Sequence, residues 1–233
     1  MQKIFNFFPL SVYKSTLSLT ENEKEEMIEE VREMEKKSKN MDYKSLSKAW
    51  TGDTQGFEYL HNNPKFKNLF IQINSCILEY LENLSVNHKK LDLYFQRSWA
   101  TISKKTEHID NHSHDQSHLS IAFYLRKQKD DAKIMFFDIS KHNEFIPQLF
   151  DSRSLAKENI FKKRDILNSS KVVFDTKEDD LLIFPSKTIH GTEQGKSNSE
   201  RISISADIVF LAKDSSTLEH LVPPIENWKK FSN

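Results

Sequence analysis

The feature that most constrains the fold is a series of short segments after Asn87 in which apolar and polar residues alternate. A period of two is the signature of a β-strand with one buried face. The segments are Leu91–Phe95, Leu119–Leu125, Ile134–Phe137, Val172–Phe174, Leu181–Phe184 and Ile202–Phe210. Because they follow helical segments in a chain of 233 residues, they predict a mainly β domain, with two facing antiparallel sheets in a sandwich or barrel.

Two amphipathic helices are predicted before the strands. Thr20 and Glu23 form a capping-box pattern, which predicts a helix from Glu21 to about Lys37. A second helix begins near Pro64, and its apolar stripe should cover the outer face of one sheet. The first helix has Met27, Ile28, Val31 and Met34 at helical spacing; the stripe of the second is Phe66, Phe70, Ile73, Ile77, Tyr80 and Leu84, with Cys76 packed beside it.

Composition excludes several functional classes. Lys+Arg 34 balance Asp+Glu 34, so no electrostatic attraction to nucleic acid or to a membrane is expected. Four glycines and the absence of a GxGxxG or GxxxxGK pattern argue against a phosphate-binding loop. No apolar run reaches the roughly 18 residues of a membrane span, and the first ten residues lack a signal-peptide pattern. A single cysteine suits a reducing compartment, so we expect a cytoplasmic protein, with a homodimer left open.

Histidines dominate the candidate chemistry. Four of the nine lie between His108 and His118, and neutral imidazole is a good ligand for first-row transition metals. If His112 and His114 lie on a strand, both rings point to the same face and can reach one ion. His190 follows the strand that ends in Phe184-Pro185-Ser186 and is a candidate third ligand.

An arginine predicts an anion site. In the segment that starts at Arg201, this residue and Ser203 share one face, while Ile202 and Ile204 share the other. An arginine that points inward from a strand needs an anionic partner, and its planar guanidinium suits a carboxylate. That carboxylate belongs either to another side chain or to a bound molecule.

These motifs together resemble the 2-oxoglutarate/Fe(II)-dependent oxygenase superfamily, most closely the oxygenases of marine bacteria and their phages. The shared order is HxH, a strand ending in Tyr-Leu, Leu-x-x-Phe-Pro-Ser-x-x-x-His and Arg-x-Ser. Phe7-Phe8-Pro9 and Ser98-Trp99-Ala100 extend the resemblance beyond the site. It implies a double-stranded β-helix (jelly-roll) core, Fe(II) as the metal, and 2-oxoglutarate and O2 as cosubstrates, with hydroxylation of a C–H bond as the usual outcome.

The resemblance also implies roles for individual residues. His112, His114 and His190 correspond to metal ligands, while Arg201 and Ser203 correspond to the residues that hold the distal carboxylate of 2-oxoglutarate, with Tyr124 as a further hydroxyl. The chain departs from the superfamily pattern at His114, because a carboxylate usually stands at that position. Smaller departures are Thr101 for asparagine, Asp115 for proline and Ile121 for glycine.

Several alternatives remain open at this stage. His108-Ile109-Asp110 is a literal HxD, the commoner superfamily pattern, and is an alternative ligand pair. A cupin-type metal dioxygenase or isomerase that uses no 2-oxoglutarate, or a non-catalytic barrel that binds a ligand, would share the fold. The substrate is expected to be a small molecule or a side chain, with neither nucleic acid nor a membrane as a partner.

The whole chain, 1–233, is predicted to form one domain. Its helical N-terminal part covers about 1–88, its β core about 89–213 and its C-terminal tail 214–233. A long irregular segment, Ser140–Ser170, interrupts the core, and part of it is expected to cover the mouth of the barrel and to become ordered when substrate binds.

Overall fold

The computed structural model describes residues 3–38, 49–151, 160–214 and 220–231. Its two α-helices and nine strands lie in these ranges as follows. The helices are α1 (Glu21–Ser38) and α2 (Lys67–Asn83). The strands are β1 (Tyr13–Thr16), β2 (Trp50–Thr51), β3 (Leu91–Ser103), β4 (Leu119–Arg126), β5 (Ile134–Phe137), β6 (Lys171–Phe174), β7 (Asp180–Pro185), β8 (His190–Thr192) and β9 (Arg201–Ala212).

The strands form two antiparallel sheets, as the alternation predicted. The larger sheet has the order β1-β7-β4-β9-β3-β2, and the smaller has the order β6-β5-β8. Every strand pair is antiparallel, and neighbours along the sheet are distant in sequence, which is the crossing pattern of a jelly roll. The predicted mainly β, double-stranded β-helix fold is confirmed.

The two faces of the larger sheet have different chemistry. Its outer face is apolar and packs against both helices in one buried cluster; the strand residues of that cluster include Ile121, Phe123, Leu181, Ile183, Ile202, Ile204 and Ile208. The inner face, toward the smaller sheet, carries a second apolar cluster of Tyr124, Leu182 and Phe184 with Ile134 and Phe136 of β5. Alternate residues of β4 and β9 therefore point to opposite sides: one set packs under the helices, and the other faces the interior of the barrel.

Both helices have the predicted limits and faces to within a few residues. In the capping box, the Thr20 N–H donates to Glu23 Oε2 at 2.8 Å and the Glu23 N–H donates to Thr20 Oγ1 at 3.3 Å. Pro64 opens a short 3-10 turn that leads into α2. The stripe residues of α2 are buried as predicted up to Tyr80. Leu84 is an exception, because it lies just past the helix end and is exposed.

The N-terminal part of the chain contributes strands as well as helices. β1 pairs with β7 and extends the larger sheet at one edge, while β2 pairs with β3 at the other edge. Part of the Ser140–Ser170 segment lies outside the described residues, so its closure over the mouth stays a prediction. No α-helix within the described ranges is both long and apolar enough to cross a bilayer.

Candidate functional site

Three histidines from two separate stretches of the chain meet between the two sheets. His112, His114 and His190 each offer a ring nitrogen, and these ligand atoms all lie within 4.8 Å of one another. The ring centroids are 5.0 Å apart for His112 and His114, 4.4 Å for His112 and His190, and 5.2 Å for His114 and His190. This is the one group of potential metal ligands found among the described residues.

Main-chain hydrogen bonds place these rings. His112 and His190 form an isolated antiparallel bridge, and the His114 N–H donates to the Ser186 carbonyl at 3.0 Å. The expectation that the HxH motif lies on a strand is wrong, because residues 113–118 form an irregular segment before β4. The bridge at His112 and the bond from His114 to Ser186 replace regular strand pairing, and both rings lie next to that of His190.

The three imidazoles share one tautomer. The Nδ1 atoms bond to the Asp110 carbonyl at 2.8 Å from His112, to Asp207 Oδ1 at 2.5 Å from His114 and to the Thr188 carbonyl at 2.9 Å from His190. Carbonyl and carboxylate oxygens only accept, so each Nδ1 carries a proton and Nε2 is the ring nitrogen available to a metal. Imidazole nitrogens are good ligands for iron, so the donor set of this site fits Fe(II).

Burial favours the neutral, metal-binding form of the rings. Burial, reinforced by the neighbouring His112, lowers the pKa of His190 to about 3. Burial likewise lowers the pKa of His112, against the opposing effect of its bond to the Asp110 carbonyl. Both rings therefore carry free lone pairs at neutral pH and need not lose a proton when they bind a cation.

Aromatic rings and a glycine confine the histidines. Trp99 stacks on His114 with ring centroids 5.6 Å apart, and Phe184 meets His190 edge-on at 4.8 Å. Gly191 packs so closely under the HxH segment that an added Cβ would lie 2.6 Å from Asn111 Oδ1. These contacts restrict the orientations that the rings can adopt.

Asp207 is a site residue that the sequence reasoning missed. Its fully buried carboxylate accepts from His114 Nδ1 and pairs with Arg97 Nη2 at 2.9 Å. Burial alone would raise the pKa of Asp207, but the His114 bond and the Arg97 ion pair hold it below its usual value. The sequence could have indicated its inward position, because Asp207 continues the alternation in which Arg201, Ser203 and Ser205 share the inner face.

The predicted anion-binding residues lie on the same inner face. Arg201 is 2% exposed and donates from Nη1 to the Ala132 carbonyl at 2.9 Å. Its Nε has no hydrogen-bond partner, and it forms no ion pair with any side chain in the described ranges. Ser203 is buried and is the β-sheet partner of Tyr124, which is also buried. Burial lowers the pKa of Arg201, which indicates a desolvated cation that an incoming carboxylate would stabilise.

The alternative ligand pair does not join the cluster. His108 Nε2 lies 3.1 Å from Asp110 Oδ1, so these two side chains contact one another. The Asp110 side chain is 60% exposed, and it is the main-chain carbonyl of this residue that contacts His112. The main-chain carbonyl of Asp110, not its carboxylate, therefore helps to orient His112.

Comparison with protein families gives a match over the same region. Residues 97–207 match the family model described as "Putative 2OG-Fe(II) oxygenase". The matched segment runs from Arg97 to Asp207 and so includes the three histidines and Arg201. Among curated proteins, none is similar enough to this chain to count as a match.

Solved structures share the fold at low sequence identity. A Pseudomonas putida prolyl-4-hydroxylase is 10% identical, with a TM-score of 0.54 over 85% of this chain and 92% of that chain. The α-ketoglutarate-dependent carbocyclase SnoK from nogalamycin biosynthesis is 12% identical, with a TM-score of 0.55 over 92% of this chain and 87% of that one. HygX from Streptomyces hygroscopicus, solved with nickel and 2-oxoglutarate bound, is 11% identical, with a TM-score of 0.51 over 85% and 82%. These similarities show the fold. The family match is to oxygenases that use Fe(II) and 2-oxoglutarate.

Proposed function

We propose that this chain, which is a 2-oxoglutarate-dependent Fe(II) oxygenase by its family match and its fold, hydroxylates an unactivated C–H bond of a small molecule or of a side chain. The observation that carries the proposal is the placement of two complementary sites on the interior of one barrel. Three converging imidazoles offer lone pairs to a metal, and the buried, incompletely bonded Arg201 offers a charge to a carboxylate.

In this proposal the protein binds 2-oxoglutarate at both ends. His112, His114 and His190 hold the metal that takes the 2-oxo acid end. Arg201 binds the distal carboxylate through its planar guanidinium, and Ser203 and the Tyr124 hydroxyl add donors beside it. The orphaned Arg201 Nε supports this role, because a buried donor without an acceptor is costly and a bound carboxylate would satisfy it.

The cofactors and the protein have different roles in the proposed reaction. When bound, iron and 2-oxoglutarate supply the oxidising power: one O2 is consumed, 2-oxoglutarate becomes succinate and CO2, and the second oxygen atom enters the C–H bond as a hydroxyl group. The protein orients the reactants. The apolar interior around Phe136, Phe184 and Leu182 limits the access of water.

Hydroxylation is favoured over halogenation by the residue at the second ligand position. A halide needs a small side chain there to leave room beside the metal, and the imidazole of His114 fills that place. The cupin alternative leaves Arg201 and Ser203 without a role, and the family match favours neither the cupin nor the non-catalytic alternative. We further propose that the partner is a small substrate or a side chain rather than nucleic acid, in keeping with the balanced charge of the chain.

The experiment that tests this function measures products. The purified protein, loaded anaerobically with Fe(II), is given 2-oxoglutarate, a pool of metabolites and isotopically labelled O2. We expect succinate to form and one metabolite or peptide to gain one labelled oxygen atom, with no product from His190→Ala. Succinate without any oxygenated product, at every substrate pool tried, would contradict the hydroxylase assignment.

A further inference from the structure

The three histidines proposed to bind the metal differ in the group that accepts the hydrogen bond from Nδ1. His112 and His190 donate to neutral main-chain carbonyls, those of Asp110 and Thr188. His114 alone donates to a carboxylate, Asp207 Oδ1, at 2.5 Å. His114 is also the residue that stands where the resembled superfamily has a carboxylate. A carboxylate, ion-paired on its other side with Arg97, therefore lies behind the residue that stands in the place of the carboxylate ligand.

Asp207 is built into this position. It lies on β9 opposite Arg97 of β3 and Ser120 of β4. Arg97 Nη2 donates to Asp207 Oδ2 at 2.9 Å, whereas Asp207 Oδ1 accepts from His114. Ser117 Oγ also donates to Oδ1, at 3.2 Å. The carboxylate is 0% exposed and cannot exchange these partners for water.

We infer that Asp207 is a positioning residue that completes the metal centre by supplying, through His114, the negative charge of the missing carboxylate ligand. The inference rests on the proposed function, since it assumes that His114 binds the metal. The His114–Asp207 bond keeps the proton on Nδ1, holds the ring plane, and makes Nε2 a stronger donor. The Asp207 carboxylate, separated from the iron by the His114 ring, would offset part of the positive charge that three neutral imidazoles leave on the metal.

A purely structural role for Asp207 would not require this geometry. An ion pair with Arg97 alone would stabilise the sheet wherever His114 pointed. Asp180 shows what a structural carboxylate looks like in this fold. It is 3% exposed, pairs with Lys14 Nζ at 2.7 Å and bonds to Thr16, all on the β1–β7 edge and with no hydrogen bond to the three histidines.

The test compares Asp207→Asn with Asp180→Asn. Asparagine keeps an oxygen acceptor of the same length and removes the charge. Calorimetric titration of the metal-free full-length protein with Co(II), which needs no turnover, should show about 10–100-fold weaker binding for Asp207→Asn, and parental affinity for Asp180→Asn. The Fe(III)/Fe(II) midpoint potential should rise in Asp207→Asn and stay at the parental value in Asp180→Asn, because Fe(III) depends more on a nearby negative charge.

A second measurement uses the unaltered protein and does not depend on the stability of a variant. In the Zn(II)-loaded protein, nitrogen–proton correlation spectra should show His114 protonated at Nδ1, with that proton further downfield than those of His112 and His190. An Nε2-protonated His114, or a proton no further downfield than the others, would overturn the inference.

The proposed function and the role of Asp207 can be disproved separately. If the parent protein binds neither Co(II) nor 2-oxoglutarate, the proposed function fails. If the parent binds both, and Asp207→Asn has the parental Co(II) affinity and the parental midpoint potential, only the role of Asp207 is overturned.

Discussion

His112 and His190 exchange main-chain hydrogen bonds: the N–H of each donates to the carbonyl of the other at 2.9 Å. This pair of bonds joins the HxH segment to β8 of the smaller sheet. The backbones of two of the three proposed metal ligands are consequently paired directly with each other. A site held in this way needs little reordering to bind a cation, which favours affinity.

The first prediction concerns His190. His190→Ala removes one of three converging donors and should abolish stoichiometric binding of Fe(II), measured under anaerobic conditions. The matched control is His118→Ala, because His118 is exposed and its ring bonds to the Phe210 N–H, away from the cluster. The control should bind one Fe(II) with parental affinity. Equal binding by both variants would remove His190 from the ligand set.

The second prediction separates the two candidate ligand pairs. His114→Ala should eliminate 2-oxoglutarate turnover, whereas Asp110→Ala should retain most of it. Asp110 supports His112 through its carbonyl, which the substitution keeps, and its exposed side-chain contact with His108 is worth at most about 1 kcal/mol. Succinate release is the measurement. Retained activity in His114→Ala together with loss in Asp110→Ala would move the metal to His108 and Asp110.

Alternation along the chain predicted the sheets well, because each strand has one apolar face. Parity placed Arg201 and Ser203 together and opposite Ile202 and Ile204, and the structure has that arrangement. Some strand limits were too short. The predicted Leu91–Phe95 is only the first part of β3, which continues to Ser103, and the polar strand-end residues Asp180 and Arg201 carry no apolar signal.

The site was harder to predict where it depends on tertiary pairing. The bridge between His112 and His190 joins residues that are far apart in sequence, and no local pattern reports it. Asp207 shares the inward parity of Arg201, but only the packing of β9 against the HxH segment shows that His114 contacts it. Leu84 fitted the helical stripe by spacing, yet it lies just past the helix end.

The third prediction tests the support of the larger sheet by α2. Ile73 is 0% exposed in the core cluster, while Ile71 on the same helix is 55% exposed. Ile73→Ala should lower the free energy of unfolding by about 2–5 kcal/mol, since it removes buried methyl groups and leaves a cavity. Ile71→Ala should change it by about 0.5 kcal/mol or less. Urea unfolding measures both, and similar losses would contradict the packing of this face on the sheet.

The fourth prediction concerns the pH dependence of the metal-free protein. Burial lowers the pKa of His190 from 6.5 to about 3 in the folded state. Between these values the unfolded state binds more protons, so the free energy of unfolding should fall as the pH is lowered through this window. One such proton gives a slope of at most about 1.4 kcal/mol per pH unit. Urea unfolding at pH 7 and pH 5 should show a smaller loss in His190→Ala, and an equal loss would contradict the burial effect.

The central claim is that one barrel interior binds Fe(II) at the histidines and the distal carboxylate of 2-oxoglutarate at Arg201. Arg201→Ala removes the buried guanidinium, whose charge-assisted hydrogen bonds are worth roughly 1.5–3 kcal/mol each. Binding of 2-oxoglutarate should therefore weaken at least about tenfold. Arg201→Lys should not restore it fully, because an ammonium group cannot bind a carboxylate through two parallel bonds.

The measurement is an anaerobic titration of the Fe(II) protein with 2-oxoglutarate, followed by the visible charge-transfer band. We expect the band in the parent at low 2-oxoglutarate concentration, and in both Arg201 variants only at higher concentration. A band of unchanged affinity in Arg201→Ala would show that another residue holds the carboxylate. A parent protein that binds Fe(II) but gives no band would contradict the account.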